Sequence, residues 1–497
     1  MTAQPLPFGF GLEFDSDTKT LDRATLFGGS PARIMRLSAA GQTALAELRR
    51  GPVASAAAAA LARRLTDAGV AHPLPPPSAV ALDVTVVIPV RDRPEALQQC
   101  LAALGTQYPV TVVDDGSTDP AAVAEVTRRH GATLVTRAVN GGPGAARNTG
   151  LAYVHSEFVT FIDSDCVPDP NWVAGLSGHF ADPLVAVVAP RIVAAPVAQG
   201  SGQSLAGRFT EVNGSLDLGD RQARVSPGTR VSYVPSAALL VRRAALEAVM
   251  SPSAQGAFDP VLRVGEDVDL IWRLHEAGWQ IRYEPRVLIG HAEPQTWRGV
   301  LGRRMRYGTS AAPLALRHPQ AMAPLALHPW PSLTVAALLA RRPLLAAAAF
   351  TGSVLGLRNT LVRAGIPSRG VVAAMAGASR QTWLGAGRYL TQFAAPLLIW
   401  AMVRPGGRTR RRRWGRRAAA ASLLLGPPAT RWRALRPPLD PVRFCAGQLA
   451  DDISYGAGVW AGSLRQHSVQ AIRPDIRWQP LRIDPLLEKL QSRRQRT

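Results

Sequence analysis

The stretch Phe158-Val-Thr-Phe-Ile-Asp-Ser-Asp165 decides the fold class of this chain. An apolar strand is predicted from Phe158 to Ile162, and it ends in two carboxylates, Asp163 and Asp165, that are one residue apart. On an extended segment, residues i and i+2 point the same way, so both carboxylates are expected to face one divalent cation. Mg²⁺ or Mn²⁺ at this position would bridge a diphosphate and neutralise it as a leaving group. An isolated Asp-x-Asp is common, but its position after a buried strand favours this interpretation.

Similar apolar strands precede this one and alternate with helices. Continuous β-branched runs between helices indicate strands that are buried on both faces, and therefore a parallel sheet flanked by helices. In such α/β sheets, ligands bind beyond the carboxyl ends of the strands, where the polar segments of this chain fall. The predicted strands are Val84 to Ile88, Val110 to Val113 and Thr133 to Val135, and the predicted helices run from about Pro94 to Leu104, Pro120 to His130 and Pro143 to His155.

Two further polar segments leave strands at this edge. Asp114 and Asp115 lie in a tight turn, where a carboxylate could accept a hydrogen bond from a nucleobase N–H, although Asp-Asp-Gly-Ser is also an ordinary turn. In Asn140-Gly-Gly-Pro-Gly-Ala-Ala-Arg-Asn-Thr-Gly150, small residues allow a ligand close to the backbone, and Arg147 could neutralise phosphate or orient a carboxylate. The alternative is a plain strand–helix connection. The segment lacks GxGxxG and GK[ST], which argues against a dinucleotide site or a P-loop.

Acidic residues also open a later helix, in Gly265-Glu-Asp-Val-Asp-Leu-Ile-Trp-Arg-Leu274. Asp267 is well placed to act as a general base that takes a proton from an acceptor hydroxyl, and Glu266 beside it is the second catalytic candidate. Helix capping alone explains one acid more easily than three. His291 follows a predicted strand from Gln280 to Tyr283 and could supply a third metal ligand, although an isolated histidine is more often structural.

Taken together, these motifs resemble the family-2 glycosyltransferases with the GT-A fold, over Val84 to about Tyr307. The resemblance depends on five segments that occur in the family's order. It implies that Asp115 contacts the nucleobase, Asp163 assists donor binding, Asp165 binds the metal and Asp267 is the base of an inverting transfer. Arg91 and Asp92 depart from the family pattern. The five segments are Val87-Ile-Pro-Val90, Val113-Asp-Asp-Gly-Ser117, Gly144-Ala-Ala-Arg-Asn-Thr-Gly150, Asp163-Ser-Asp165 and Gly265-Glu-Asp267. The donor-binding candidates that they contain are Pro89, Val90, Asp114, Asp115, Gly144, Arg147, Asn148 and Asp163.

The N-terminal region indicates a separate small α+β module. Thr25 to Leu37 predicts a strand, a turn and a second strand, Ser38 predicts an N-cap for a helix to Leu48, and Ala54 to Ala68 predicts a second helix. His72-Pro-Leu-Pro-Pro-Pro77 predicts a stiff linker. The winged-helix-like pattern resembles the peptide-recognition module of ribosomal-peptide maturation, and the whole chain resembles the glycosyltransferases of the mycofactocin system. That narrower resemblance implies a β-linked glucose from UDP-glucose on a peptide-derived redox cofactor precursor.

The C-terminal region is apolar and strongly basic. The chain of 497 residues carries a net charge of +22, and its densest arginine run lies between Arg408 and Arg417. Beside apolar segments, such a run favours an anionic membrane surface over nucleic acid, which the acidic strand ends would repel. Leu333 to Leu357 is broken by Arg341-Arg342-Pro343, and Leu390 to Val403 is short, so no clean membrane span of about 20 residues is predicted. Interfacial or re-entrant helices, a membrane span with other bounds, and a buried soluble bundle remain alternatives.

The predicted organisation has three parts: residues 1–77, a peptide-recognition module; residues 78–310, a GT-A domain; and residues 311–497, a helical basic region. Three scattered cysteines and the absence of a secretory pattern at the N-terminus predict a cytoplasmic protein. The arginine run beside apolar segments predicts its association with the inner face of the cell membrane. Two alternatives stay open: transfer to a lipid-linked or cell-wall glycan, and a non-catalytic membrane-associated binding protein.

Overall fold

The N-terminal elements are five short strands and two helices. The computed structural model of the chain describes residues 4–76, 82–196, 203–250, 256–405 and 409–476, with the backbone alone at 482–483. The side chains of Ser38 and Ser55 accept hydrogen bonds from the Gly41 and Ala58 amides, which caps both helices. The elements are β1 (Gly11–Phe14), β2 (Lys19–Asp22), β3 (Thr25–Gly28), β4 (Arg33–Arg36), α1 (Ala39–Leu48), α2 (Ala56–Asp67) and β5 (Ala71–Leu74).

The predicted strand pair and both predicted helices are confirmed, but the linker is wrong over His72 to Leu74. These residues belong to β5, which pairs antiparallel with β1 from Gly11↔Leu74 to Phe14↔Ala71. The His72 ring is buried and lies 3.0 Å from Asp15 Oδ2. Pro77, the end of the predicted linker, lies outside the described residues.

The central region, from Val84 to His291, alternates strands with helices, as predicted. The predicted helix after Pro143 ends earlier, at Leu151, and the strand that begins at Gln280 is longer and contains His291. The strands are β6 (Val84–Val90), β7 (Val110–Asp114), β8 (Thr133–Thr136), β9 (Phe158–Ile162), β10 (Cys166–Pro168), β11 (Val185–Ala194), β12 (Ala223–Arg224), β13 (Ala238–Arg242) and β14 (Gln280–His291). The helices are α3 (Pro94–Leu104), α4 (Pro120–Arg129), α5 (Pro143–Leu151), α6 (Trp172–Ser177), α7 (Leu205–Asn213), α8 (Arg243–Ala248) and α9 (Glu266–Glu276).

Within the described residues these strands form one nine-stranded sheet in the order β10-β14-β11-β13-β9-β6-β7-β8, with β12 paired to β14. The strands β6, β7, β8 and β9 run parallel to one another, whereas β13 is antiparallel to both β9 and β11. Burial of apolar side chains on both faces is the main stabilising contribution, and it fixes the carboxyl ends of the parallel strands at one edge. The α/β GT-A fold class is confirmed.

A second unit consists of Gly202–Asn213 and Pro294–Pro480, which includes α7. The first unit is Met1–Ser201, Gly214–Glu293 and Leu481–Thr497. The three-part division predicted from composition stays a prediction. The elements of the second unit after α7 are α10 (Trp297–Thr309), α11 (Ala311–Arg317), β15 (Ala326–Leu327), α12 (Pro329–Leu339), α13 (Pro343–Arg363), α14 (Val371–Val403), α15 (Arg410–Leu435), α16 (Pro441–Arg465) and β16 (Asp475–Ile476). A last strand, β17 (Arg482–Ile483), belongs to the first unit and pairs parallel with β4.

The apolar C-terminal segments form continuous helices. Arg341 and Arg342 separate α12 from α13, as predicted, and α14 contains a non-helical residue at Ala394 next to Pro396. Contrary to the expectation that no clean span exists, α13 is a single helix of 21 residues with a mean hydropathy of 1.3, long and apolar enough to cross a membrane. Only 22% of its apolar window is buried. This criterion concerns length and composition alone.

Candidate active site

Arg147 on α5 joins two acidic segments that are distant in sequence. Its Nη1 donates to Glu266 Oε1 at 2.9 Å, and its Nη2 donates to Asp163 Oδ1 at 2.5 Å. The guanidinium carbon also lies 5.5 Å from the centre of the Phe258 ring. The arginine is 2% exposed, and although burial opposes its charge, Asp163, Glu266 and Asp267 raise the pKa of Arg147. A permanently charged arginine therefore holds the end of β9 against the start of α9.

Glu266 and Asp267 begin α9, and both resist ionisation. Burial, followed by the negative charge of Asp267, raises the pKa of Glu266 to about 7. Burial also raises the pKa of Asp267, against the opposing charge of Arg147. The two Asp267 oxygens accept from backbone amides, Oδ1 from Val268 at 2.8 Å and Oδ2 from Ser236 at 3.2 Å. A carboxylate with a raised pKa is a stronger proton acceptor once it is ionised, which suits a general base.

Asp165 lies beside His291, as a shared metal site requires. Asp165 Oδ1 is 3.6 Å from His291 Nε2, because β10 pairs with β14 and sets Cys166 opposite His291. His291 Nδ1 lies 3.0 Å from Glu293 Oε1; with the proton on Nδ1, the histidine donates to Glu293 and leaves Nε2 able to bind a cation. The second Asp165 oxygen, Oδ2, pairs with the Arg93 guanidinium.

These donors fit a hard divalent cation. Mg²⁺ is commonly held by one or two carboxylates together with substrate phosphates, so Asp165 and His291 leave room for a diphosphate. Among the described residues, no group of three or more His, Cys, Asp or Glu side chains that could hold a metal is present.

The prediction that Asp163 and Asp165 are extended and face one ion is wrong in geometry. The segment is a turn, in which the Cys166 amide donates to the Asp163 carbonyl at 3.0 Å. The turn sends Asp163 to Arg147 and Asp165 to Arg93 and His291. The physical reason is that two neighbouring carboxylates repel, whereas each gains a cationic partner of its own.

The two aspartates after β7 are engaged within their own loops. Asp114 Oδ1 accepts from the Ser117 amide at 2.9 Å, which closes the turn. Asp115 Oδ1 accepts from Arg137 Nε at 2.8 Å and from the Gly141 amide at 2.9 Å, and its Oδ2 accepts from the Gly142 amide at 2.7 Å. Asp115 therefore joins the loop after β7 to the glycine-rich loop before α5. Contact of either residue with a nucleobase stays a prediction.

The other donor-binding candidates build the walls of this edge. The Asn148 side chain both donates to and accepts from the Phe258 backbone, at 2.7 and 2.9 Å. A Cβ at Gly144 would lie 3.2 Å from Glu266 Cγ, so this glycine allows α5 to approach α9. Pro89 and Val90 are buried in β6, where the Val90 carbonyl accepts from the Asp115 amide at 2.9 Å. Their contact with a donor stays a prediction.

Four residues at the site were absent from the sequence-based candidates: Arg93, Ser236, Phe258 and Glu293. Arg93 directly precedes α3, so its position after β6 was a usable signal. Ser236 and Phe258 lie in segments without regular periodicity, and only the tertiary structure brings them to α9 and α5. Asp163 also has a backbone partner that is distant in sequence, because its amide donates to the Ala237 carbonyl at 2.9 Å.

The sheet described above, with acidic residues after its parallel strands and helices on both sides, is that of the GT-A class of nucleotide-sugar transferase folds. The family model "Glycosyl transferase family 2" matches residues 85–249. The chain is 38% identical over 494 residues to pre-mycofactocin glycosyltransferase of Mycobacterium tuberculosis, covering 96% of this chain and 100% of that protein. The chain belongs to the family-2 glycosyltransferases.

Two other similar proteins are less identical in sequence and cover less of this chain. Poly-beta-1,6-N-acetyl-D-glucosamine synthase of Staphylococcus epidermidis is 25% identical over 243 residues, which covers 47% of this chain and 56% of that protein. A solved structure of mannosyltransferase PcManGT from Pyrobaculum calidifontis, in complex with GDP-Man and Mn²⁺, is 21% identical with a TM-score of 0.37. It covers 70% of this chain and 89% of that chain.

Proposed function

We propose that this glycosyltransferase moves glucose from UDP-glucose, with inversion, onto a peptide-derived precursor of the redox cofactor mycofactocin. Similarity along 96% of the chain to a pre-mycofactocin glycosyltransferase is the observation that carries the acceptor class. The peptide-recognition module predicted for residues 1–77 suits an acceptor of ribosomal origin. A β-linked product follows if an α-linked donor is inverted in a single displacement.

The proposed chemistry is one displacement at the anomeric carbon. The ionised Asp267 carboxylate takes the proton of an acceptor hydroxyl, and that oxygen forms a bond to the anomeric carbon. The bond from this carbon to the diphosphate oxygen breaks, and its electron pair leaves with the nucleotide diphosphate. Arg147 keeps Glu266 fixed beside the base and carries a positive charge near the reacting groups. Glu266 is thus a positioning residue that also tunes the charge around Asp267.

Asp165 and His291 are the proposed holders of Mn²⁺ or Mg²⁺, with Asp163 nearby on the same turn. When bound, such an ion would neutralise charge on the departing diphosphate. The distance of 3.6 Å between Asp165 Oδ1 and His291 Nε2 supports this role, because both atoms can bind the same cation. Arg93, which also pairs with Asp165, would then turn toward the diphosphate as a further source of positive charge.

We also place the protein in the cytoplasm at the inner face of the cell membrane. The helix α13 and the arginines of α15 support an anionic membrane surface as a partner. Among the alternatives, transfer to a lipid-linked or cell-wall glycan gains support from the partial similarity to a polysaccharide synthase. A non-catalytic binding protein would bind the nucleotide sugar without turnover.

A mass-spectrometric assay tests the proposal. Purified protein is offered UDP-glucose, UDP-galactose, UDP-N-acetylglucosamine or GDP-mannose, together with the peptide-derived precursor in an extract. Hexose addition only with UDP-glucose, and a β configuration of the product by NMR, would support it. Transfer to a lipid extract and not to the precursor would favour the glycan alternative, and donor binding without any transfer would favour the non-catalytic one.

A further inference from the structure

A cavity of about 520 Å³ lies among three helices of the second unit. Its size is within the range of about 300–1,000 Å³ that is usual for ligand sites. Most of its lining is apolar or small. The lining residues come from α12, from Arg341 in the connection after α12, and from α14 and α15: Val335, Leu338, Leu339, Arg341, Ser379, Arg380, Trp383, Gly415, Ala418, Ala419 and Ser422.

The cavity exists because α15 presents only small residues on one face. Gly415, Ala418, Ala419 and Ser422 recur at helical spacing, so they form one stripe along the helix. Larger side chains at these positions would fill the space between α15 and the leucines of α12. The cavity is open to solvent, so an apolar ligand that covers its lining would remove apolar surface from water. The geometry therefore favours an apolar occupant.

Two arginines give the lining a charged component. Arg341 has a φ of 59°, a left-handed conformation that is rare for a residue other than glycine, and its Nη1 donates to the Arg411 carbonyl at 2.6 Å. A Cβ at Gly415 would lie 2.3 Å from Arg341 Nη1, so the glycine is required for this placement. Arg380 is exposed, and the buried Ser379 hydroxyl has no hydrogen-bond partner among the described residues. These groups suit a phosphate at one part of an otherwise apolar ligand.

The helices around the cavity are also apolar and basic. The sequence contains no Asp or Glu between Glu293 and Asp440, whereas arginines occur throughout that stretch. Leu338 of the lining is 58% exposed, Leu344 at the start of α13 is 87% exposed, and Trp414 beside Gly415 is 59% exposed. Exposed leucine and tryptophan next to arginine are typical of helices that lie in a membrane interface. Charge complementarity thus identifies an anionic amphiphile as the occupant.

We propose that the cavity holds one acyl chain of an anionic phospholipid, whose phosphate is bound by Arg341 and Arg380. The occupant is a lipid of the membrane surface, not free phosphate and not the glycosyl acceptor. This inference depends on the membrane association proposed above and adds to it a single-lipid site with named residues. The apolar contacts hold the chain, and the arginines select the anionic headgroup.

The test compares a filled cavity with a matched control. Ala419→Phe places a ring in the cavity, and Ala348→Phe adds the same ring to an exposed position of α13. Delipidated protein is incubated with phosphatidylglycerol or phosphatidylcholine vesicles and then analysed by native mass spectrometry and co-sedimentation. We expect the wild type and Ala348→Phe to retain one phosphatidylglycerol per chain, and Ala419→Phe to bind it at least about tenfold more weakly.

Further variants and competitors distinguish binding of the headgroup from binding of the acyl chain. Arg380→Gln should weaken phosphatidylglycerol binding about fivefold and leave phosphatidylcholine unchanged, because one surface cation is lost. This variant leaves the cavity unfilled, so it covers the case in which Ala419→Phe does not fold. The proposal would be overturned by equal binding of the two lipids, or by unaltered binding in an Ala419→Phe variant whose melting temperature is unchanged. Competition by inorganic phosphate, or a preference for a lipid-linked sugar, would also overturn it. The Ala419→Phe variant should still transfer the sugar to a soluble acceptor. If the wild type itself shows no such transfer, the proposed function is refuted but the lipid site is not.

Discussion

Arg147 and Glu266 lie 119 positions apart in sequence, yet their side chains form a buried hydrogen-bonded ion pair of 2.9 Å. Because the same guanidinium binds Asp163, removing it leaves two carboxylates without their counter-charge. We expect Arg147→Met to lower the free energy of unfolding by about 3–5 kcal/mol, as measured by urea denaturation. Arg128→Met is the control, since Arg128 is 74% exposed beside Glu125. It should change stability by no more than about 0.5 kcal/mol, and an equal loss in both variants would contradict the role of Arg147.

Asp267→Asn should abolish most transfer while the donor still binds. An amide cannot take the acceptor proton, so we expect kcat to fall by about 10²–10⁴. Donor affinity, measured by calorimetry with the nucleotide sugar, should stay unchanged. Glu276→Gln, at the exposed end of the same helix, provides the control for general effects on α9. Normal turnover of the Asp267 variant with the true acceptor would exclude this residue as the base.

The ionisation of Glu266 should make stability depend on pH. Its pKa in the folded chain is about 7, above its ordinary value of 4.5, so the folded state holds this proton more tightly than the unfolded chain. The resulting stabilisation is complete below pH 4.5 and is lost as the pH rises through 7. We expect it to account for a loss of about 3 kcal/mol between pH 4.5 and 8. The Glu266→Gln variant should show a smaller slope of unfolding free energy over this range, and the same slope in both proteins would refute the shift.

Asp15 should have the opposite dependence. Burial opposes its ionisation, but hydrogen bonds from His72, Asp17 and Arg230 together lower the pKa of Asp15 to about 2. Its stabilisation is therefore present above pH 3.8 and is lost as the pH falls toward 2. Asp15→Asn should cost about 2 kcal/mol at pH 7, measured by thermal and urea unfolding. Asp17→Asn is a matched control, because Asp17 pairs with Arg221 but is 69% exposed. If the two variants are equally stable, the buried pair contributes less than expected.

Metal binding should depend on Asp165 and on the orientation of His291. We expect EDTA to remove activity and Mn²⁺ or Mg²⁺ to restore it, and Asp165→Asn to abolish Mn²⁺ binding measured by electron paramagnetic resonance. Glu293→Gln should weaken Mn²⁺ about 10–100-fold, because the histidine then loses its orienting carboxylate. Arg93→Gln should preserve or tighten binding, since Asp165 loses a competing partner. Full activity in the chelator would refute the proposed ion.

The strands and helices of the catalytic region could be predicted because local sequence determines them. The β-branched run Val84 to Ile88 favours a buried strand, and the Ser38 side chain caps the helix that follows it. The pairing of β1 with β5 could not be predicted in this way. It joins segments about 60 residues apart, and each strand has only four residues, so neither carries a clear alternation.

The different directions of the Asp163 and Asp165 side chains could not be predicted either, because they depend on residues that are distant in sequence. Adjacent carboxylates suggest a common partner, but their directions depend on Arg147 and Arg93, which reach the site from different helices or loops. The raised pKa of Glu266 likewise results from burial by residues remote in sequence. Motif order thus identified the class of chemistry, whereas the ionic partners required the folded chain.

The parallel pairing of β17 with β4 has a practical consequence for the two ends of the protein. Residues Arg482–Ile483 form the outer strand of the sheet whose other members lie between Lys19 and Arg36, so the last part of the polypeptide completes the first. Truncation before Arg482 would expose the amides and carbonyls of β4 to other chains.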